Sequence, residues 1–397
     1  MKKIKLNFIQ IVLLITVPTI IMSIISGSLI YSRLNYAGKV SHTNNKYVNE
    51  FINTYNRLLD DYYEDLDENE LVDAAISGML TYAGDDYTIY MNEDATEALN
   101  EKLEGIYEGV GIRITSNEKG EIYIFEIFED SPAKEAGLMV NDIIVSINGE
   151  DVFNKGIEEA SKIIKNSKDK NINMCIKRDD VEQCFDITRK TLIVPAINSS
   201  IKEVNGKKIG YINIKTFSST VDTQVEATLS SMENDGIDSL IIDVRGNTGG
   251  YLTNCTNIIE MFLEKDKLMY SIKSKKESID YRDSTENKKN YPVVVLINGG
   301  SASASEILAA SLKYSYGATI VGVKSYGKGK VQTTGELEDG TMIKYTSALW
   351  YTPNGDSIDE VGLVPDIEVK LSETFIDNPT EENDNQLNEA IRILTSE

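Results

Sequence analysis

The chain has 397 residues, 41% of them hydrophobic, and 63 acidic against 40 basic side chains give a formal charge of −23. That length exceeds what one core usually holds, so two or three domains are expected. The acidic excess argues against nucleic acid or an anionic membrane surface as a partner, and a solvated acidic surface is its default explanation.

Lys2, Lys3 and Lys5 precede an apolar run from Phe8 to Ile30, which suits a bilayer span of roughly 20 residues. Residues 1–32 are therefore read as an uncleaved signal anchor, with a removed signal peptide as the alternative. The basic end stays cytoplasmic, which places the chain at the cell membrane, single-pass, with everything from about Ser32 outside. Val48, Phe51, Ile52, Tyr55, Leu58, Leu59 and Tyr62 form a one-sided stripe that predicts a helix over Asn44–Asp65, and a second helix runs from near Asp67 to Gly84. Together they make an N-terminal helical arm over 33–100.

From Gly105 the period changes to short strands, marking a second module over 101–190. Gly109-Val110-Gly111-Ile112 leads into a strand, Ile122–Phe128 is a second, Asp130–Leu138 a short capped helix, and Asp142–Gly149 a further strand. A Gly-x-Gly pair alone is an ordinary turn, but the ordered set resembles a PDZ domain. That resemblance implies that the backbone of Gly109, Val110, Gly111 and Ile112 receives a peptide's terminal carboxylate while the peptide adds as a strand.

Met174–Phe185 reads as a hairpin turning at Asp179-Asp180, which sets Cys175 opposite Cys184 and Lys177 opposite Glu182. Asn173 and Asp186 share that solvent-facing side, while Ile172, Met174, Ile176 and Phe185 point inward. A disulfide is permitted outside the cytoplasm. Two unpaired thiols are the preferred reading, because cross-strand disulfides are often strained. Cys255 has no evident partner and is read as packed.

Past Ile197 the chain becomes α/β. Lys208–Ile214 and Ser239–Val244 are strands flanking a helix around Thr220–Met232, and Arg245-Gly246-Asn247-Thr248-Gly249-Gly250 turns into a helix over Tyr251–Leu263. Glu264–Tyr291 is polar and reads as an exposed hairpin or insertion without chemistry. Pro292–Asn298 is a strand buried on both faces, and Gly299–Ala302 supplies a tight reversal. Ser303-Ala304-Ser305-Glu306 has capping-box spacing ahead of Ile307–Leu312, which puts the Ser303 hydroxyl at a helix N-terminus. By itself that is a helix cap. The single histidine, His42, lies far from every sheet element and excludes a Ser-His-Asp triad, so a serine nucleophile here needs another base. The glycine-flanked Lys328, delivered after a strand at Thr319–Val323, is the candidate, with Lys324 and Lys330 close enough in sequence to lower its pKa.

Gly300–Ile307 and Tyr326–Gln332 resemble the carboxy-terminal processing peptidases, or tail-specific proteases, and the resemblance extends from about Tyr47 to the C-terminus. It implies Ser303 as nucleophile, Lys328 as base, Gln332 orienting the lysine, and an oxyanion hole from the amides of Gly249 and Gly250 with Ala304. Thr248 stands where that family often carries proline. The implied fold is α/β, a Clp protease/crotonase-like peptidase core over 191–372 with an inserted PDZ-like β-rich domain, closed by Trp350–Gly355 and Gly362–Asp366, with a C-terminal helical tail over 373–397. Homodimerisation through the helical ends is implied by the resemblance alone.

The expected function is a membrane-anchored serine endopeptidase that cleaves extracytoplasmic proteins near their C-termini, taking substrates with free C-termini and needing no metal or cofactor. An inactive membrane-tethered PDZ adaptor is the alternative, against which the intact Ser303, Lys328 and Gln332 argue. A crotonase acting on acyl-thioesters is disfavoured by the PDZ insertion and the export signal.

Overall fold

A computed structural model describes residues 45–337 and 340–396, so the expected membrane anchor lies outside the described residues. Among the described residues no helix is long and apolar enough to cross a membrane. The chain divides after Met79. Before that point lie the helix Lys46–Asp61 and most of the helix Glu68–Tyr82, joined by a hydrogen bond from Tyr55 Oη to Glu68 Oε1 at 2.8 Å. Neither helix has a buried residue, and Phe51, Ile52, Leu58 and Tyr62 of the apolar stripe are exposed.

Beyond Met79 the organising element is a six-stranded sheet in the order Ile197–Val204, Lys207–Ile214, Ser239–Asp243, Val293–Ile297, Thr319–Gly322, Ile367–Glu368, antiparallel at its first pair and parallel thereafter. Every residue of Ser239–Asp243 and Val293–Ile297 is buried, as continuous apolar runs demand of a sheet covered on both faces. Val221–Asn234, Leu252–Glu260 and Ala304–Ser311 cover one face. The terminal helix Asn385–Thr395 covers the other with Leu387, Ala390 and Leu394. This layering is the expected α/β core.

The inserted module is a β-rich unit built from Ile112–Ser116, Ile122–Ile127, Ile143–Ile147, Asn171–Arg178 and Val181–Thr188, with the helices Pro132–Ala136 and Ile157–Lys165. The chain enters along Ile106–Gly109 and leaves along Lys190–Ile193, and these two segments pair antiparallel. The hairpin register is as read from the sequence, with Cys175 opposite Cys184, Lys177 opposite Glu182 and Asn173 opposite Asp186. Asp179 and Asp180 both take positive φ, as a two-residue turn of the primed type requires. The preference for free thiols is corrected: Cys175 and Cys184 are bonded, with Cα atoms 4.0 Å apart. Cys255 is buried and unpaired, as expected.

Glu264–Tyr291 holds the expected hairpin, turning between Ser274 and Ser278, but its reading as an exposed insertion is corrected. Its strand Leu268–Ser274 pairs with Ser278–Arg282 on one side and with Met342–Tyr351 on the other, and Met269 and Tyr270 are buried. The segment is part of a second sheet, in which Met269 and Tyr270 join the main core and Ile272 and Tyr281 pack against it. Met342–Tyr351 also pairs with Lys330–Glu336 and with a short strand at Ile89–Met91. A third helix at Glu93–Glu104 was not expected, since Leu99 and Leu103 alone give its polar sequence too weak a stripe.

Candidate active site

Ser303 stands between the buried strand Val293–Ile297 and the helix Ala304–Ser311, every residue of which is buried. Its φ of 56° is uncommon for a residue with a side chain, and such conformations persist where the surroundings over-determine them, often at functional positions. A plain helix cap sits in extended backbone, so this geometry favours a special role for the hydroxyl. The flanking serines are spent on structure. Ser301 Oγ donates to the Val244 carbonyl at 2.8 Å and accepts from Asn298 N–H, and Ser305 Oγ donates to the Asn247 carbonyl at 2.8 Å.

Glu306 is the residue that sequence reasoning assigned only to capping. Its fully buried carboxylate accepts four hydrogen bonds: from Ser303 N–H at 2.8 Å, Ser325 Oγ at 2.5 Å, Gly327 N–H at 2.7 Å and Lys328 N–H at 2.9 Å. Burial pushes its pKa up and those donors pull it back. One carboxylate thus ties the backbone of Ser303 to the backbone of Lys328. Gly327 permits the loop to pass there: its φ is +93° and a Cβ would come 2.8 Å from Gly362 N.

Ser303, Ala304, Gly250, Lys328 and Gln332 line one cleft of about 420 Å³. Leu99 and Leu103 of the unexpected helix, with Ile307, Val331 and Trp350, make its walls apolar. The Lys328 pKa is lowered, first by burial and then by the positive charge of Lys344, while Glu306 and Asp85 oppose the shift. The neighbour that matters is therefore Lys344, on the facing strand. Lys330 is instead 3.3 Å from Asp85, an ion pair no sequence spacing could reveal.

No hydrogen bond joins Ser303 Oγ to Lys328 Nζ among the described residues, and Gln332 Nε2 donates to the Lys330 carbonyl at 3.1 Å rather than meeting the lysine. Lys328 Nζ lies over the ring of Tyr87, 4.6 Å from its centroid. The expected oxyanion amides also divide. Gly249 N–H is donated to Asn247 Oδ1 at 2.9 Å, whereas Gly250 and Ala304 N–H make no hydrogen bond among the described residues and both residues line the cleft. The loop that carries them is braced from below. Arg245 binds Asp243 at the strand end together with Asp384 and Gln386 at the start of the terminal helix, and these carboxylates hold its guanidinium above its ordinary pKa despite burial.

In the inserted module Gly109, Val110 and Ile112 line a second groove of about 150 Å³ with Ile114 and Ile164, whereas Gly111 does not line it and lies against Ser131 and Leu192. Tyr107 reaches the same loop, burial pushing its phenol up to about 12 against the pull of Gly111 N–H. Lys165 at the groove is 2.8 Å from Glu97 and 2.9 Å from Glu101 of the helix Glu93–Glu104. Among the described residues the one cluster with metal-ligand character is Cys175, Glu182 and Cys184, whose sulfurs are engaged in the disulfide.

Residues 208–369 match the model of peptidase family S41, residues 126–178 that of a PDZ domain, and residues 27–95 that of the activating protease CtpB N-terminal domain. The carboxy-terminal processing protease CtpB of Bacillus subtilis is 36% identical over 342 residues, covering 85% of this chain and 70% of that protein. The carboxy-terminal processing protease CtpA of the same organism is 31% identical over 372 residues, with coverage of 93% and 78%. A crystal structure of an S41 protease from Bacteroides fragilis, 17% identical, superposes with a TM-score of 0.54 over 84% of this chain and 91% of that one, a likeness of fold.

Proposed function

Because the chain belongs to peptidase family S41 and is a serine peptidase of the carboxy-terminal processing type, we propose that it hydrolyses peptide bonds near protein C-termini through Ser303 and Lys328, with Gln332 steadying the lysine. The observation that carries this is the meeting, in one cleft, of a serine at strained backbone, a half-buried lysine of lowered pKa and two unengaged N–H groups. The neutral Lys328 amine takes the Ser303 proton as Oγ attacks the scissile carbonyl, and Gly250 and Ala304 N–H receive the oxyanion. The resulting ammonium returns that proton to the leaving amine. A water, deprotonated by the same lysine, then attacks the acyl carbonyl, the bond to Ser303 Oγ breaks to free the carboxylate product, and the lysine returns the proton to Oγ.

In this reading Gly109–Ile112 and the groove beside them take the substrate's terminal carboxylate and last side chain, which the apolar Val110, Ile112, Ile114 and Ile164 suit. Residues 1–32 tether the enzyme to the cell membrane with the peptidase outside, where the disulfide is stable. The exposed apolar stripe of Lys46–Asp61 supports pairing with a second copy of the chain. The test is to present the protein with a loosely folded substrate ending in an apolar residue and to identify the products by mass spectrometry. Cuts near the C-terminus that vanish in Ser303→Ala and in Lys328→Arg support the reading. Persistence of those cuts in either variant would overturn it, and binding without cleavage would favour a PDZ adaptor.

A further inference from the structure

Tyr87 lies in a loop between two elements of the arm, and nothing in its surroundings in sequence marks it as part of a catalytic site. In the fold that loop is fastened to the strand Met342–Tyr351. Thr88 Oγ1 donates to Asp85 Oδ2 at 2.7 Å, Thr346 Oγ1 donates to the same oxygen at 2.5 Å, Thr346 N–H donates to Thr88 Oγ1 at 3.1 Å, and Ile89–Met91 pairs with residues 342–344. The fastening sets the face of the Tyr87 ring 4.6 Å from Lys328 Nζ and 5.5 Å from Lys330 Nζ, and the Tyr87 hydroxyl is 3.3 Å from that of Tyr326. Asp85 neutralises Lys330 at 3.3 Å, so Lys328 is the cation left to the ring.

We propose that Tyr87 is a positioning residue for the base: its ring holds the Lys328 ammonium away from Ser303, and Lys328 must leave the ring as the neutral amine to act. The inference rests on Lys328 being the base. A π face attracts a cation and has little hold on a neutral amine, so the parked position favours the protonated lysine. The absence of a hydrogen bond between Lys328 Nζ and Ser303 Oγ among the described residues is the geometry such a position requires. The other ionisable groups around the pair are Lys344 on the facing strand, Glu306 on the helix behind, Asp85 and Lys330 beside the ring, and Asp359 and Tyr326 near the Tyr87 hydroxyl. Lys344 acts against the ammonium; Glu306 and Asp85 act for it.

The test replaces Tyr87 in the full-length chain by phenylalanine, then by phenylalanines bearing one, two and three ring fluorines, which drain the face of negative charge while keeping its shape. Peptide hydrolysis is followed against pH, and the reactivity of Lys328 toward an amine-labelling reagent is followed by mass spectrometry. Tyr87→Phe should leave the acid limb of activity near its original pH. The fluorine series should move that limb, and the labelling midpoint of Lys328, progressively down by roughly 0.5–1 pH unit in total. Activity scaled by one factor at every pH, with the labelling midpoint unmoved, would show a mere lid and overturn the inference. Cleavage surviving in Lys328→Arg would instead defeat the assignment of the base, while the labelling series would still report whether the ring holds the ammonium.

Discussion

Replacing Glu306 by glutamine tests the idea that one buried carboxylate holds the two halves of the site together. Oε1 accepts from Ser325 Oγ and Gly327 N–H, and Oε2 from Ser303 N–H and Lys328 N–H. The new amide nitrogen can stand in only one of those places. At Oε2 it would face two fixed peptide donors; at Oε1 it faces one, because the Ser325 hydroxyl can turn and accept. The second arrangement orphans Gly327 N–H, at about 1–3 kcal/mol, and weakens the two remaining N–H bonds by about 1 kcal/mol each as charge assistance is lost. Removing a buried charge offsets part of this. A net loss of about 2 kcal/mol is expected, read as a lower urea midpoint at unchanged slope. With the loop freed at Gly327, kcat on a peptide substrate should fall at least about tenfold while KM changes little. A Glu306→Gln protein of unchanged midpoint and kcat would refute the argument, and one more stable than the parent would show that the buried charge costs more than its four bonds contribute.

Ser303→Ala should abolish cleavage in a folded protein, whereas Ser301→Ala and Ser305→Ala should keep much of it and lose about 1–2 kcal/mol of stability through their missing bonds to Val244 and Asn247; comparable inactivation of all three without unfolding would sink the nucleophile. Lys328 acts only when neutral, so activity rises with pH through its lowered pKa, and because the Lys344 charge helps lower it, Lys344→Gln should move that limb to higher pH. An unmoved or downward-moved limb, followed on one peptide across the pH range, would contradict that coupling. Substitution at Gly111 is an unsuitable probe of the carboxylate loop, since a Cβ there would meet Ser131 Cβ at 2.2 Å. Matched substrates with free and amidated C-termini avoid the clash; the amide should be cut more slowly, and equal rates would remove the loop from substrate binding.

Much of this molecule is determined by sequence alone because the deciding forces are local or periodic. The apolar runs Val293–Ile297 and Leu240–Ile242 read as strands covered on both faces, and the Asp179-Asp180 turn dictates the register of the hairpin. A single histidine excludes a Ser-His-Asp triad, and the family motifs give Lys328 and Gln332 as the expected partners of Ser303. What the tertiary structure alone decides is which groups meet across long separations. The Glu306 carboxylate reads as a cap until Gly327 and Lys328 fold onto it, and Lys344 becomes the relevant charge because strand pairing brings it to the cleft while Lys330 turns to Asp85. Gly249 N–H is lost to Asn247 and Gly250 takes its place at the cleft. The polar helix Glu93–Glu104 lines the cleft with two leucines too few to announce it. Tyr87, 241 positions before Lys328, sits over that lysine because the strand Met342–Tyr351 holds its loop there by hydrogen bonds between partners that no local pattern pairs.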